Sequence, residues 1–448
     1  MIEKNIPLYV ICENEFAEFS TQLDEFENSF LKSIGFSAKN KEIAKIPSKS
    51  GEIKKIIFGM GKEFNAQNFG VIGRVFDEGI YKLETKLRPQ DADSAILYFE
   101  LGKYFYDTFK TNPRKKIELI FANASNAVKT QKFADIINKG RDLVNSPTNI
   151  LGPDALAQKI IETGKENNCQ IEIIEGDDLL KQNYPLIHAV GRASSQKPRF
   201  VILRKPKTNA PKIGIIGKGV VFDTGGLNIK TGNFMGLMKK DMGGAACAFT
   251  LFRLLLEQDF NIDLNLYIPI VENSIAGDAM RPSDVVKSRK GLSVEIDNTD
   301  AEGRLILADA LTRASEDKMD FMVDFATLTG AARVALGPDL PPFYSNNAQL
   351  IEEIKTAAQK VNDPVWNMPL WENYNDDLDS SIADMKNGGG AFAGSMTAAL
   401  FLQKFVECNE WVHFDVYCWN PKEKSIGPMG GEIQAVRAMY ELIQNRYS

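Results

Sequence analysis

Histidine is scarce in this sequence, which contains only His188 and His413. Two imidazoles exclude a histidine-rich metal site and any His-Glu-x-x-His peptidase motif. A metal site in this chain would therefore consist mostly of oxygen ligands, with at most an unusual nitrogen donor. Neither histidine belongs to a cluster of carboxylates in the sequence, so we expect both to be packing or hydrogen-bonding residues.

Cysteine is also rare, with 5 scattered residues and no Cys-x-x-Cys pair. An odd number without paired spacing is typical of a reducing compartment and argues against a zinc site made of thiolates. We expect Cys247 and Cys418 to be small buried apolar residues.

Long apolar runs and an excess of positive charge are absent as well. No uninterrupted apolar run reaches the roughly 18 residues needed to cross a bilayer. Residues 1–5 lack the basic start and long apolar core of a signal peptide. The net charge of -6 provides no global basic field for nucleic acid. We therefore predict a cytoplasmic protein without a membrane or nucleic-acid partner.

The sequence does contain an alternation of short β-branched segments with segments of helical apolar spacing. Its 448 residues, 44% hydrophobic and 25% charged, are sufficient for two domains. Predicted strands cover 6–12, 55–58, 117–121, 171–174, 200–203, 212–216, 264–270 and 321–325. Predicted helices cover 96–109, 133–144, 156–163, 245–257 and 305–316. This alternation predicts an α/β protein.

Pro147 forbids continuation of the preceding helix, and Pro153 suits the first turn of the next one. We predict a smaller N-terminal α/β domain at 1–128, a linker helix and junction at 129–148, and a larger domain at 149–448. The larger domain should be an α/β/α sandwich with a mixed, largely parallel central sheet. Loops at the carboxyl ends of its strands are the expected location of an active site.

The chemical centre of the sequence is the stretch 294–305, where Asp300, Glu302 and Arg304 occupy alternate positions. In extended backbone, alternate side chains share one face, so the two carboxylates would point together. Neighbouring anions favour a divalent metal between them. Two other interpretations stay open: a helix cap at Asp300 with Glu302 in the first turn, and a calcium loop ending at Asp309.

Other charged residues stand among glycines and apolar residues. Lys218 and Asp223 form either a buried ion pair or part of a metal site, in which a lysine of lowered pKa offers a neutral amine. Asp241, just before Gly243-Gly244, is either a metal ligand or a helix N-cap. Lys230 taken alone is typical of a solvated surface charge.

Together these stretches resemble the leucyl aminopeptidase family, the hexameric two-metal cytosol aminopeptidases. The family's hallmark Asn-Thr-Asp-Ala-Glu-Gly-Arg is intact at 298–304. The motifs at 217–223, 229–230 and 241–244 recur in the family's order and spacing. Weaker matches at 145–149, 326–330 and 397–402 extend the resemblance from about residue 140 to the carboxyl terminus.

The resemblance implies a metal-dependent aminopeptidase that removes the N-terminal residue, Leu or another apolar one, from peptides with a free amino terminus. It implies two divalent ions per subunit, Mn or Zn, holding a bridging hydroxide, and a homohexamer. The alternative is a DNA-binding or structural relative with weak or no peptidase activity.

Site residues follow from the resemblance, position by position. Asp223 and Glu302 would bridge the metals, Asp300 would complete one site, and Lys218 with Asp241 would complete the other. Lys230 and Arg304 would be the catalytic cations, with a bicarbonate at Arg304. The positions matching the first side-chain pocket are Met238, Asn298, Ala301, Thr327 and Gly330. The segments 234–237, 414–420 and 427–432 depart from the family pattern, which leaves one pocket wall undefined.

Overall fold

The computed structural model describes residues 5–112, 116–121 and 126–448. The chain divides into two compact units. The first comprises Met1–Asn138 and Lys422–Met429, and the second comprises Lys139–Pro421 and Gly430–Ser448. Each unit combines helices with a β-sheet, so the predicted two-part α/β organisation is confirmed.

The described part of the first unit contains a five-stranded sheet in the order β2-β3-β1-β4-β5, parallel except for the β2–β3 pair. Its strands are β1 (Ile6–Cys12), β2 (Ile43–Pro47), β3 (Ile53–Gly61), β4 (Gly79–Leu83) and β5 (Ile117–Phe121). Its helices are α1 (Phe16–Ser20), α2 (Glu25–Ser33), α3 (Asn68–Val75) and α4 (Pro89–Gly102). The strands predicted at 6–12, 55–58 and 117–121 are confirmed.

The helix predicted at 96–109 is wrong in its second half. Helix α4 begins at Pro89, whose fixed φ suits the first turn, and ends at Gly102. Tyr104 is buried although it lies beyond the helix. The aromatic residues after Gly102 therefore lie in an irregular segment, where Tyr104 is buried and Phe105 and Phe109 are exposed.

Helix α5 (Ala127–Asn145) contains the helix predicted at 133–144 and ends two residues before Pro147. Helix α6 (Pro153–Glu166) begins with Pro153 in its first turn, as predicted. Among the described residues, no helix is both long and apolar enough to cross a membrane.

The second unit, described throughout, contains a nine-stranded mixed sheet in the order β15-β14-β17-β13-β8-β10-β7-β6, with β9 also paired to β10. The strands of this unit are β6 (Gln170–Glu175), β7 (Arg199–Lys205), β8 (Lys212–Gly217), β9 (Gly219–Asp223), β10 (Asp263–Asn273), β11 (Val285–Lys287), β12 (Ser293–Glu295), β13 (Phe321–Ala326), β14 (Pro342–Ser345), β15 (Trp366–Asn367), β16 (Met385–Lys386), β17 (Trp411–Asp415), β18 (Trp419–Asn420) and β19 (Gly430–Gly431). Its further helices are α7 (Asp178–Lys181), α8 (Pro185–Gly191), α9 (Gly243–Leu256), α10 (Glu302–Glu316), α11 (Gly330–Leu336), α12 (Ala348–Lys360), α13 (Gly394–Gln403) and α14 (Val436–Tyr447).

Strands β17, β13, β8 and β10 are mutually parallel and form the centre of this sheet. Most of their residues are apolar because helices cover both faces of the sheet, and Asp324 of β13 and His413 of β17 are buried together as a bonded pair. One apolar core contains strand residues, such as Ile202 of β7 and Ile216 of β8, together with residues of helices α8, α10 and α13. Helix α9 packs on β8 and β13 and also against α14. The predicted α/β/α sandwich with a largely parallel sheet is confirmed.

Candidate active site

The carboxyl ends of β8, β13 and β17 meet at one edge of the central sheet, as expected for parallel strands. Lys218 immediately follows β8, and its backbone is fixed on both sides. Its N–H donates to Phe325 O at 3.0 Å, and its carbonyl accepts from Ala245 N at 2.8 Å. Its amine therefore projects from a rigid position beyond the strand ends.

The close packing around Gly303 explains why the motif at 298–304 contains a glycine. A Cβ atom at this position would lie 2.5 Å from Lys218 Cε, a distance that real contacts do not show. The helix that carries Glu302 therefore packs directly against the stem of Lys218. Lys218 Nζ lies 2.7 Å from Asp241 Oδ2 and 3.0 Å from Glu302 Oε1, and it donates to Thr327 O at 2.9 Å.

Asp241 is not a helix N-cap. Met242 occupies the N-cap position of α9, and no side chain caps that helix. Asp241 instead accepts a hydrogen bond from Thr327 Oγ1 at 2.9 Å. This contact joins Asp241 to the segment that follows β13.

Asp223, the last residue of β9, does not form the predicted ion pair with Lys218. Its Oδ1 accepts from Gly225 N and Asn273 Nδ2, both at 2.8 Å. Its Oδ2 lies 2.7 Å from Lys230 Nζ, and Lys230 Nζ also contacts Asp300 Oδ1. The side chain of Lys230 is only 13% exposed, so the surface interpretation of this lysine is wrong.

The acidic loop (residues 297–302) brings Asp300 and Glu302 together, but not through extended backbone. The chain turns after β12, Ala301 is the N-cap of α10, and Glu302 is the first residue of that helix. Asp300 makes no cap bond to the helix, so the helix-cap interpretation is wrong. The calcium-loop interpretation is also wrong, because Asp309 is buried within α10 and accepts from Leu186 N.

Within residues 139–448, all of which are described, this site gathers four carboxylates around two lysines. Asp223, Asp241 and Glu302 are buried, whereas the Asp300 side chain is 32% exposed. Burial and the negative charge of Asp223 raise the pKa of Glu302 to about 8 and that of Asp300 to about 6. These shifts indicate that the lysines do not fully balance the negative charge of the site.

The two lysines respond in the opposite direction. Burial favours their neutral forms, but the surrounding carboxylates outweigh it and raise the pKa of both Lys218 and Lys230. For Lys218 this is the reverse of the lowered pKa expected beside a metal cation, since Asp241 and Glu302 face its amine here. The pKa of Asp223 is lowered, because Lys230 and Lys218 outweigh the effect of burial.

The donor set fits divalent cations. One carboxylate oxygen from each of Asp223, Asp300 and Glu302 lies within 4.8 Å of the others. Asp241 Oδ2, Asp300 Oδ1 and Glu302 Oε1 are buried and have no partner in hydrogen-bonding geometry, although each lies within ion-pair distance of a lysine amine. Hard oxygen donors of this kind suit Mn²⁺ or Mg²⁺, and the lysine nitrogen also admits Zn²⁺.

Arg304 lies two residues after Glu302 in α10, and it is buried. Its Nη1 donates to Asn387 O at 2.7 Å, while its Nε has no hydrogen-bond partner among the described residues. Burial lowers the pKa of Arg304 to about 10, against the opposing charges of Glu302 and Asp415. It remains a cation at neutral pH, and its Nε–H is buried and unpaired within the described part of the chain.

The predicted pocket residues lie on three segments beside the carboxylates. Met238 begins the 3₁₀ helix that ends at Met242, and Thr327 bonds to Asp241. Gly330 begins α11, and Asn298 Oδ1 accepts from Asp300 N at 2.8 Å. Ala301 is the N-cap of α10.

Sequence reasoning missed Asn273, Asn387 and Asp415, which hold the ligand-bearing segments through hydrogen bonds. Asp415 Oδ1 accepts from Leu328 N and Thr329 N, both at 3.1 Å. A signal for Asn387 was present in the three glycines at 388–390 that follow it. Such a cluster indicates close backbone approach, and a Cβ on Gly388 would lie 2.1 Å from Asp297 Oδ2.

The expectations for histidine and cysteine hold. His413 is buried with Nδ1 2.5 Å from Asp324 Oδ1, and His188 Nε2 lies 3.3 Å from Asp177 Oδ1. Cys247 and Cys418 are buried free thiols whose Sγ atoms lie 3.5 Å apart, within hydrogen-bonding distance of each other.

Comparisons with known proteins point to one family. A model of the catalytic domain of the cytosol aminopeptidase family matches residues 138–440, and a model of the M17 aminopeptidase N-terminal domain matches residues 6–122. A probable cytosol aminopeptidase from Xanthobacter autotrophicus is 37% identical over 378 residues, covering 81% of this chain and 76% of the relative.

Solved structures give the same result. The crystal structure of a cytosol aminopeptidase from Coxiella burnetii superposes with a TM-score of 0.95 at 37% identity, covering 100% of this chain and 98% of the other. The bottromycin maturation enzyme BotP in complex with Mn gives a TM-score of 0.88 at 28% identity over 99% of both chains. The chain therefore belongs to the cytosol aminopeptidase family of metal-dependent aminopeptidases.

Proposed function

We propose that this aminopeptidase removes Leu or another apolar residue from peptides with a free amino terminus, using two divalent ions, Mn or Zn. The convergence of four carboxylates and two lysines at the strand ends carries the proposal. Their excess negative charge is what two divalent cations would neutralise.

In this proposal Asp223 and Glu302 would hold both ions, and one carboxylate oxygen of each lies within 4.8 Å of the other and of an oxygen of Asp300. Asp300 completes one site, and Lys218 with Asp241 completes the other. When bound, the ions supply Lewis-acid activation of a water molecule and of the scissile carbonyl, and one of them takes the free amine of the substrate.

Lys230 acts as the cation that stabilises the developing oxyanion. Its raised pKa keeps the amine protonated at neutral pH, and contacts with Asp223 and Asp300 orient it beside the ligand oxygens. Arg304 holds a small anion, bicarbonate, which would move protons in a site without a free histidine or carboxylate base. Its buried, unpaired Nε supports this role.

Met238, Asn298, Ala301, Thr327 and Gly330 line the pocket for the first side chain. Support comes from their positions on the segments that also carry Asp241 and Asp300. Small and apolar side chains at most of these positions favour an apolar first residue.

We further propose a cytoplasmic homohexamer without a nucleic-acid partner, with domains at 1–128 and 149–448 joined by 129–148. The net charge of -6 supports the exclusion of nucleic acid, which a salt-dependent gel shift tests. Light scattering tests the hexamer. If the protein is instead a DNA-binding relative, DNA should give a shifted band in the gel. If it is an inactive relative, no peptide should be cleaved.

The central experiment measures hydrolysis of leucine p-nitroanilide and of leucyl peptides. Activity should disappear on strong chelation and return with Mn²⁺ or Zn²⁺. N-acetylated substrates should resist cleavage because their nitrogen cannot coordinate a cation. Cleavage of blocked peptides at rates equal to those of free peptides would refute amine coordination.

A further inference from the structure

Asn387 lies directly after β16, the short strand that pairs with β12 next to the acidic loop. Its side chain is completely buried. It carries no charge and belongs to none of the motifs that predict metal ligands or catalytic cations. Its place beside the loop nevertheless gives it contact with several parts of the site.

The side-chain amide of Asn387 is fully used by the acidic loop. Its Oδ1 accepts from Asp297 N at 2.8 Å and from Asn298 N at 3.1 Å. Its Nδ2 donates to Asn298 O at 2.7 Å and to Ala301 O at 3.2 Å. An asparagine amide offers two acceptor sites and two donors, so all of its bonding capacity holds this one loop.

The backbone of Asn387 connects two further parts of the site. Its N–H donates to Glu295 O at 3.0 Å, at the end of β12, and its carbonyl accepts from Arg304 Nη1 at 2.7 Å. One residue thus fixes the strand before the acidic loop, the loop itself and the guanidinium in the helix after it.

The acidic loop needs such support because it is not part of a regular ladder. On its other side, Asn228 Oδ1 accepts from Thr299 N at 2.8 Å and Asn273 Nδ2 donates to Thr299 O at 3.0 Å. Residues 297, 298, 299 and 301 therefore bond through their backbone to side chains from distant segments. Removing one of these side chains leaves buried backbone groups unpaired, which favours a shifted loop.

We propose that Asn387 is a positioning residue for the aminopeptidase reaction, holding Asp300 and Glu302 in ligand geometry and aiming the Arg304 guanidinium. The inference rests on the proposed metal-binding role of the two carboxylates. Side chains that orient metal ligands typically change metal affinity or activity by about 10- to 100-fold when replaced.

Asn387→Asp is the sharpest substitution. It keeps the shape and both Oδ1 bonds but replaces the donor to Asn298 O and Ala301 O with a second anionic oxygen. The two carbonyls would then face that oxygen, and the loop should shift. Asn387→Ala removes all four bonds without adding charge and separates the loss of bonding from the gain of charge.

Asn346→Asp, at an exposed position, is the control for replacing an amide by a carboxylate away from the site. Asn346 also uses both ends of its amide on backbone groups, since its Nδ2 donates to Cys408 O and its Oδ1 accepts from Trp411 N. It lies at the opposite end of the strands and touches none of the proposed ligands.

The test titrates metal-stripped full-length protein with Mn²⁺ by calorimetry and measures thermal unfolding of the same samples. Both Asn387 variants should bind Mn²⁺ about 10- to 100-fold more weakly while remaining folded, and at saturating Mn²⁺ kcat should fall more than KM rises. Asn346→Asp should keep wild-type affinity for Mn²⁺.

Two outcomes overturn the inference in distinguishable ways. Folded Asn387 variants that bind Mn²⁺ within about twofold of the wild type refute the positioning role alone. A wild-type protein that takes up no Mn²⁺ and cleaves no leucine anilide refutes the proposed function and this inference together.

Discussion

Replacing Lys230 by methionine should slow peptide hydrolysis without removing metal. Lys230 Nζ lies 2.7 Å from Asp223 Oδ2 and also contacts Asp300. Methionine retains the length and apolar stem of lysine but not its charge. The substitution therefore removes the proposed oxyanion-stabilising cation and its ion pairs with Asp223 and Asp300. All the proposed metal ligands remain in place.

The substitution should lower kcat but should not weaken the binding of Mn²⁺. Loss of one preorganised donor to an oxyanion costs about 10²- to 10³-fold in kcat, or about 3–4 kcal/mol. At 2.7 Å, the attraction between the ammonium and Asp223 is on the order of 6 kcal/mol at an effective dielectric of ~20, before desolvation is counted. A metal cation must compete with this attraction, so the variant should bind Mn²⁺ at least as tightly as the wild type.

The assay measures kcat and KM for leucine p-nitroanilide at saturating Mn²⁺, and metal content after gel filtration. Lys218→Met is the contrasting variant, because the Lys218 amine is a proposed ligand and contacts Asp241 and Glu302. It should lose metal, whereas Lys230→Met should lose turnover. A Lys230→Met protein that loses its metal, or one with wild-type kcat, would refute the assigned role.

Three further predictions follow from single contacts. Asp300→Asn should lose bound Mn²⁺ and activity while its thermal melting changes little, and a full metal content by elemental analysis would contradict its ligand role. Gly303→Ala places a Cβ 2.5 Å from the Lys218 stem, so Mn²⁺ affinity should fall about tenfold. Gly277→Ala, whose Cβ meets open space, should not change the affinity, and equal affinities of the two variants would refute the packing argument. Burial raises the pKa of Glu172, but ion pairs with two arginines outweigh it and hold that pKa below its ordinary value. Its stabilising contribution is complete above the unfolded pKa of about 4.3 and disappears as the pH falls through the lower folded pKa. Glu172→Gln should therefore cost about 1 kcal/mol in urea unfolding at pH 7 and less at pH values below about 4, and an equal cost in both pH ranges would contradict the ion-pair explanation.

The sequence alone predicted the elements of the catalytic domain because their signals are local. Strands such as 200–203 and 212–216 are β-branched runs, and both lie within observed strands. The exclusion of a histidine-rich site also needed only composition. The motif at 298–304 indicated the family because its residues occur in the order and spacing that are typical of the family.

Only the tertiary structure decided which charges meet. Lys218 pairs with Asp241 and Glu302, and Asp223 pairs with Lys230, whereas local order left a Lys218–Asp223 pair open as one of two interpretations. The parallel sheet sets these partners, because it brings the ends of distant strands to one edge. Extended backbone was the wrong local geometry for Asp300 and Glu302, since the start of α10 determines the direction of the second carboxylate.

The partners of the supporting residues could not be predicted from the sequence for the same reason. Asn387 is 85 or more positions from the loop it holds, and an uncharged asparagine has no spacing pattern that marks its partners. Local chemistry thus determined which residues are able to bind cations. Chain topology determined how they are combined, because hydrogen bonds and ion pairs depend on distances in space that sequence separation does not specify.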